Sequence, residues 1–328
     1  MRFWAHVKKK RVINMIRHFI DIADYSSDQL RQMIQDALVM KARPASVSAK
    51  LSGMNIALLF EKPSTRTRIS FEVGVNQLGA TPLVLDNKGM QLGRGETVAD
   101  TAKVMSRYVD AIMIRAENHD TVLELSHHAS IPVINGLTNQ SHPCQVMADV
   151  MTVAEKKAPD LNFAHLHIVW LGDGNNVAHS WIEAAAAFGF TLTLATPDAL
   201  RPDASIVAKA KAAGGVIHLS NDPALAITDA DVVVTDTWIS MGASMGGAEH
   251  IDAAAHKNML EPFRVTTQLM ELAAPDAIFM HCLPVYRGNE ADAEVVDGAQ
   301  SVIWDEAENR LHAQKAIMCF CLDKNNAG

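Results

Sequence analysis

Ser64, Thr65, Arg66, Thr67 and Arg68 stand in unbroken succession in the segment "EKPSTRTRISFE". Three hydroxyls and two guanidiniums add little to a core, yet every one of them can donate to an anion. The apolar run "MNIALLF" before them reads as a strand, and "ISFEVGVNQLG" after them as a helix. A strand–turn–helix junction aims backbone N–H groups and the positive end of a helix dipole at one point, which makes it an anion site. Arg66 and Arg68 would add bidentate, charge-assisted bonds to phosphate oxygens. For a lone S-T-R, a capping hydroxyl beside solvated arginines is the plainer account; the crowding of donors favours phosphate here.

Other polar residues fall at the ends of apolar runs. Arg115 closes "AIMIR", and His142 and Gln145 follow "IPVI" in "NQSHPCQ". Singly, these are a surface arginine and a loop histidine. Together with the phosphate turn they suit a carbonyl that becomes an oxyanion during attack. "WLGDGNNVAHS" has the glycine pair of a dinucleotide fingerprint in Gly172 and Gly174, but Val177 stands where the third glycine belongs. Asp198, the only acid near the expected ribose position, follows Pro197 outside the strand. Asn175 and Asn176 read better as amide donors to a small polar ligand. "DTWISMG" offers Asp236, Ser240 and Met241, a set suited to a ligand with an ammonium group. "HCLP" places Cys282 beside His281. A Cys-His nucleophile is conceivable, but neighbours in a strand point to opposite faces.

These residues need two scaffolds. From "MNIALLF" to "IPVING" short β-rich runs alternate with longer helix-periodic ones, read as buried parallel strands and covering helices. "SSDQLRQMIQDALVMKAR" precedes them as a helix with Ser27 as its N-cap, and "CQVMADVMTVAEKK" follows them. After a boundary at "APDLN" the alternation resumes from "HLHIVWLG" to "AIFMHCLP" and "SVIWDE". The chain then closes with "NRLHAQKAIMCFCLDK", an amphipathic helix whose Cys319 and Cys321 read as inert. The fold class is α/β, with two doubly wound parallel sheets. In such sheets ligands sit beyond the carboxyl ends of the strands, where these polar residues lie.

Composition narrows the function further. At 328 residues the chain is long enough for about two domains. A net charge of −8 and the lack of a basic stripe argue against nucleic acid as a partner. No apolar run approaches the roughly 20 residues that span a bilayer. Cys144, Cys282, Cys319 and Cys321 show no zinc spacing, which favours a reducing cytoplasm. Met1 to Asn14 is basic and reads as a weak targeting tail, as a disordered extension, or as a stretch before a natural start at Met15.

The motifs "STRTR", "HPCQ", "GDGNN", "DTWISMG", "HCLP" and "ENRLHAQKA", in this order, resemble the carbamoyltransferases, and within them the ornithine-specific branch. The resemblance covers nearly all the chain from Met15. It implies a carbamoyl-phosphate domain over residues 1–148, an ornithine domain over 149–305, and a terminal helix, 306–328, returning to the first. Carbamoyl phosphate would be held by Ser64, Thr65, Arg66, Thr67, Arg115, His142, Gln145, Cys282, Leu283 and Arg310. Gln91, in the loop "DNKGMQLGRGETVAD", would reach a neighbouring subunit's site in a homotrimer. Asn176, Asp236, Ser240 and Met241 would hold ornithine. Arg115, His142 and Cys282 would carry the catalysis, with no metal or organic cofactor. The implied reaction gives citrulline and phosphate, in the cytoplasm; the alternative is a related transferase using putrescine or an acylated ornithine. The stretch "GASMGGAEHIDAAAHKN" departs from the more charged sequence of the family.

Overall fold

The computed structural model describes residues 16–86, 95–238 and 253–323. Its first helix, α1 (Ser27–Ala42), is capped by Ser26, whose side chain accepts from the Gln29 backbone in a reciprocal capping box. The predicted cap at Ser27 is therefore one residue late: only Ser26 has Gln three positions on. Then come β1 (Asn55–Phe60), α2 (Thr65–Gln77), β2 (Thr81–Asp86), α3 (Val98–Tyr108), β3 (Ala111–Arg115), α4 (His119–His128) and β4 (Val133–Leu137). Helix α5 (Pro143–Lys156) leads to the second half. There β5 (His167–Leu171), α6 (Asn176–Phe188), β6 (Thr191–Ala195), α7 (Ala204–Ala212), β7 (Val216–Ser220), α8 (Pro223–Ile227) and β8 (Val232–Thr235) alternate. The chain ends through α9 (Ala253–Leu260), α10 (Thr267–Met270), β9 (Ile278–His281), α11 (Ala293–Val296) and α12 (Ile303–Leu322).

Among the described residues the strands form two parallel sheets, ordered β2-β1-β3-β4 and β7-β6-β5-β8-β9. The strand order reverses between β1 and β3 in one sheet and between β5 and β8 in the other. Those two switch points leave crevices for ligands. Phe60 pairs with Arg115 across the first, so the phosphate turn and Arg115 share one edge. Thr235 pairs with His281, which brings Asp236 and Cys282 to a shared edge of the second sheet. Central strands are buried as predicted, but β2 and β7, at the sheet edges, are largely uncovered. The opposite edge strands, β4 and β9, are buried, so what packs over a strand, not its local composition, decides its exposure.

Helix α2 starts at Thr65, earlier than the apolar pattern implied, so the phosphate turn is itself the helix N-terminus. "SVIWDE" forms no regular strand; Ser301 makes an isolated bridge to Phe279, and Ile303 opens α12. Helix α5 is buried from Pro143 to Ala154, and one core runs continuously past α5 and α12 from the first sheet to the second. The division inferred between residues 148 and 149 falls inside α5.

Candidate active site

Ser64 caps α2, its Oγ accepting from the Thr67 N–H at 3.4 Å. That leaves the first N–H groups of the helix directed outward, as at any helix start. Thr67 is 1% exposed. Its Oγ1 accepts from Arg310 Nη2 at 3.0 Å and from Arg115 Nη1 at 3.4 Å. A hydroxyl whose lone pairs face two guanidiniums has only its hydrogen left to offer, so Thr67 is oriented as a donor. Burial lowers Arg115 to about 10, aided by repulsion from Arg310 and Arg66. Its buried Nε has no protein acceptor among the described residues. Three cations gathered at a helix N-terminus raise one another's energy, and an anion among them relieves it.

His142 begins α5 from the same side. Burial, reinforced by Arg310 and Arg115, holds its imidazole well below the usual histidine range, so it is neutral. Its Nδ1 is buried without a protein partner among the described residues. A neutral imidazole can polarise a carbonyl without adding charge beside the arginines. Helix α6 of the second half grips this loop: Ser180 Oγ accepts from His142 N–H at 2.9 Å and Asn176 Nδ2 donates to Thr138 O at 2.6 Å. Residues 176 and 180 are one helical turn apart and share a face.

Across the crevice, Asp236 is buried beyond β8. Its Oδ2 accepts from Asn175 Nδ2 at 2.6 Å, while its Oδ1 has no protein partner among the described residues. Burial and the nearby Asp173 push this carboxyl well above its ordinary range. A cationic ligand would reverse that shift. Cys282 lies beyond β9, its thiol pushed well up by burial and by Asp236, Glu306 and Asp149. It is a thiol, not a thiolate, and a weak nucleophile. His281 does not serve it: its Nδ1 accepts from Leu283 N–H at 2.8 Å and its Nε2 lies 3.3 Å from Glu290.

Residues 17–155 match the model of the aspartate/ornithine carbamoyltransferase carbamoyl-P binding domain, and 164–321 that of the Asp/Orn binding domain. The chain belongs to the aspartate/ornithine carbamoyltransferase family. It is 51% identical over 315 residues to an ornithine carbamoyltransferase of Rhodopseudomonas palustris, covering 94% of this chain and 98% of the relative. Among solved structures, ornithine carbamoyltransferase from Pyrococcus furiosus superposes with a TM-score of 0.85 at 44% identity, covering 92% of this chain and 96% of that one. The anabolic enzyme of Campylobacter jejuni gives 0.84 at 36% identity, covering 93% and 99%.

Within this carbamoyltransferase scaffold several sequence expectations change. Arg68 does not join the cluster; it is exposed and lies 3.5 Å from Glu72 one turn on. Residues two apart on a helix point to different sides, which the turn-like reading missed. The glycine pair has a structural purpose: a Cβ on Gly174 would lie 2.0 Å from the Pro202 nitrogen. The Arg201–Pro202 backbone therefore fills the space a dinucleotide phosphate would need, and Asp198 pairs with Arg201. The amide nitrogens of Asn175 and Asn176 already donate within the protein. Asn175 also caps α6, its Oδ1 accepting from Val177 and Ala178. Gln145 is buried beneath the site, where its Oε1 accepts from Arg310 Nη1 at 2.6 Å. Leu283 takes a left-handed φ of 61°, turning the chain directly after Cys282. Thr65 and Arg66 lie exposed on the first turn of α2. Gln91, Ser240, Met241 and the stretch Met1 to Asn14 lie outside the described residues.

Sequence reasoning missed Ser180, Asp149 and Glu306. A signal for one of them existed: Asp149 stands four residues after Gln145 in the buried, mostly apolar part of α5, and two polar side chains there need buried partners.

Proposed function

We infer that this chain transfers the carbamoyl group of carbamoyl phosphate to the δ-amine of L-ornithine, giving L-citrulline and phosphate. The observation that carries this reading is the convergence of Arg115 and Arg310 on Thr67 Oγ1 at the start of α2. The phosphate would sit on the α2 N-terminus against Arg66, with Ser64, Thr65 and Thr67 donating. Arg115 and neutral His142 would take the carbonyl oxygen, and the Cys282–Leu283 backbone would flank the carbamoyl nitrogen. Gln145 would act through Arg310. The amine, with a reference pKa of about 10 by analogy with lysine, must lose a proton before it attacks. Its lone pair then forms the C–N bond, the C–O bond to phosphate breaks, and one of the two protons on the attacking nitrogen passes to the departing phosphate while the other stays in citrulline. Asp236 would hold the α-ammonium through its free Oδ1, beside Asn176, Ser240 and Met241. The raised Cys282 thiol suits orientation of the amine better than covalent catalysis.

The same reading includes a carbamoyl-phosphate domain (1–148), an ornithine domain (149–305), and a homotrimer with shared sites through Gln91. Exposed apolar side chains on α2 (Ile69, Val73), β2 (Leu83) and α3 (Val104, Tyr108) are available to a subunit interface. A cytoplasmic location agrees with four free cysteines. No described helix is long and apolar enough to cross a membrane. The test is citrulline formation with ornithine, putrescine and acetylornithine. Ornithine should be preferred strongly: acetylornithine has no α-ammonium for Asp236 to bind, and putrescine keeps both amines but lacks the α-carboxylate of an amino acid end. Equal use of putrescine would overturn the ornithine assignment.

A further inference from the structure

Beneath the anion site lies a buried group of side chains that the reaction itself does not use. Gln145 Nε2 donates to Asp149 Oδ1 at 2.7 Å and approaches Glu306 Oε1 at 3.4 Å. Glu306 Oε2 accepts from the His281 backbone N–H at 2.8 Å. Asp149 and Glu306 are each 1% exposed, and their carboxyls converge on the same Gln145 amide nitrogen. This group joins three elements: α5, the first turn of α12, and the end of β9 immediately before Cys282.

We propose that Asp149 and Glu306 form a positioning pair that holds one proton between them, and that it fixes both Arg310 and the backbone leading into Cys282. Two carboxyls in hydrogen-bond contact away from water cannot both be ionised, because like charges repel strongly there. The hydrogen bonds indicate where the proton sits. Asp149 receives the short bond from Gln145 and is the charged acceptor. Glu306 Oε2 is taken by the His281 N–H, but its Oε1 lies 3.4 Å from the Gln145 nitrogen and is the oxygen left to hold the proton and donate it to Asp149. Burial pushes both carboxyls up, and repulsion from Asp149 raises Glu306 further, while the bonds that Asp149 accepts from Gln145 and Glu306 favour its charged form. The other titratable groups bearing on the pair are Arg310 and Cys282.

The consequence is electrostatic as well as mechanical. With one proton the pair carries a single negative charge, which offsets the single positive charge of Arg310. Arg66 and Arg115 then remain to face the two negative charges of the carbamoyl phosphate dianion. With no proton, the pair would cancel a second arginine. Gln145 separates Arg310 from Asp149, accepting from one and donating to the other, so the guanidinium is held without being locked into a direct ion pair.

This inference rests on the carbamoyl-transfer reading, and the experiment separates the two. Wild-type protein, Glu306→Gln and Glu306→Ala would be compared by citrulline formation and by infrared difference spectroscopy. Glutamine keeps a neutral donor and an acceptor in place; alanine keeps neither. Alanine should lower kcat/KM for carbamoyl phosphate by about 100-fold, and glutamine should recover at least about tenfold of that loss. The wild type minus Glu306→Gln infrared spectrum at neutral pH should contain a protonated-carboxyl C=O band sensitive to H/D exchange. Glutamine as damaging as alanine, or no such band, overturns the proposal. The infrared result needs no substrate, so it decides alone if the alanine variant does not fold. Inactive wild-type protein would instead count against the carbamoyl-transfer reading.

Discussion

Thr67→Val removes one oxygen and almost nothing else. Valine matches threonine in shape, so the buried site and the start of α2 stay filled. What disappears is the acceptor shared by Arg310 Nη2 at 3.0 Å and Arg115 Nη1 at 3.4 Å. The longer contact is weak, and only the shorter counts fully. A hydrogen bond to a charged group contributes about 1.5–3 kcal/mol, and a buried donor left unpaired loses an amount of that order. The hydroxyl's own donation to the ligand is lost too, so about 2–3 kcal/mol of transition-state binding should go. That corresponds to a fall of about 30- to 150-fold in kcat/KM for carbamoyl phosphate. Steady-state citrulline formation, with each substrate varied in turn, reads the effect. Thr67→Ser keeps the oxygen and should recover most of the activity. The reasoning fails if valine costs less than about threefold, or if serine is as damaging as valine.

Cys282→Ser should impair ornithine use more than carbamoyl phosphate use, and the wild-type thiol should alkylate more slowly than an exposed cysteine at mild alkaline pH, because burial and nearby carboxylates keep it protonated. Trapping a carbamoylated Cys282 on the reaction path by mass spectrometry would refute this orienting role. Glu183 accepts from the Ile22 and Ala23 N–H groups at 3.0 and 3.3 Å, and burial, reinforced by Asp21, raises it from 4.5 to about 7. Between those values the folded chain holds a proton that the unfolded chain releases, so this group's contribution to stability declines as pH rises through the window. Glu183→Gln should therefore gain stability relative to wild type, on the order of 1–2 kcal/mol, between about pH 4.5 and about pH 8. Urea unfolding at both ends of that range measures it, and an equal difference at the two ends would contradict the linkage.

Much of the candidate site was legible because its chemistry is local. The phosphate turn, Arg115, His142, Asp236 and Cys282 each follow an apolar run, and a parallel sheet collects such strand ends along one edge. The alternation of short β-rich runs with helix-periodic ones was likewise enough for two doubly wound sheets, since backbone period and burial pattern are written residue by residue. Pairings across long sequence separations were not legible in the same way. Only the packing of α12 back onto α2 and α5 brings Arg310 to Thr67 and seats Gln145 as its partner. Only the helical start at Thr65 turns Arg68 away from Arg66, and only the passage of Pro202 explains Gly174. The chain's local pattern determines which groups each strand end carries. Which of them meet is settled by strand order and helix docking, because hydrogen bonds and desolvation act over a few ångströms in space and take no account of distance along the chain.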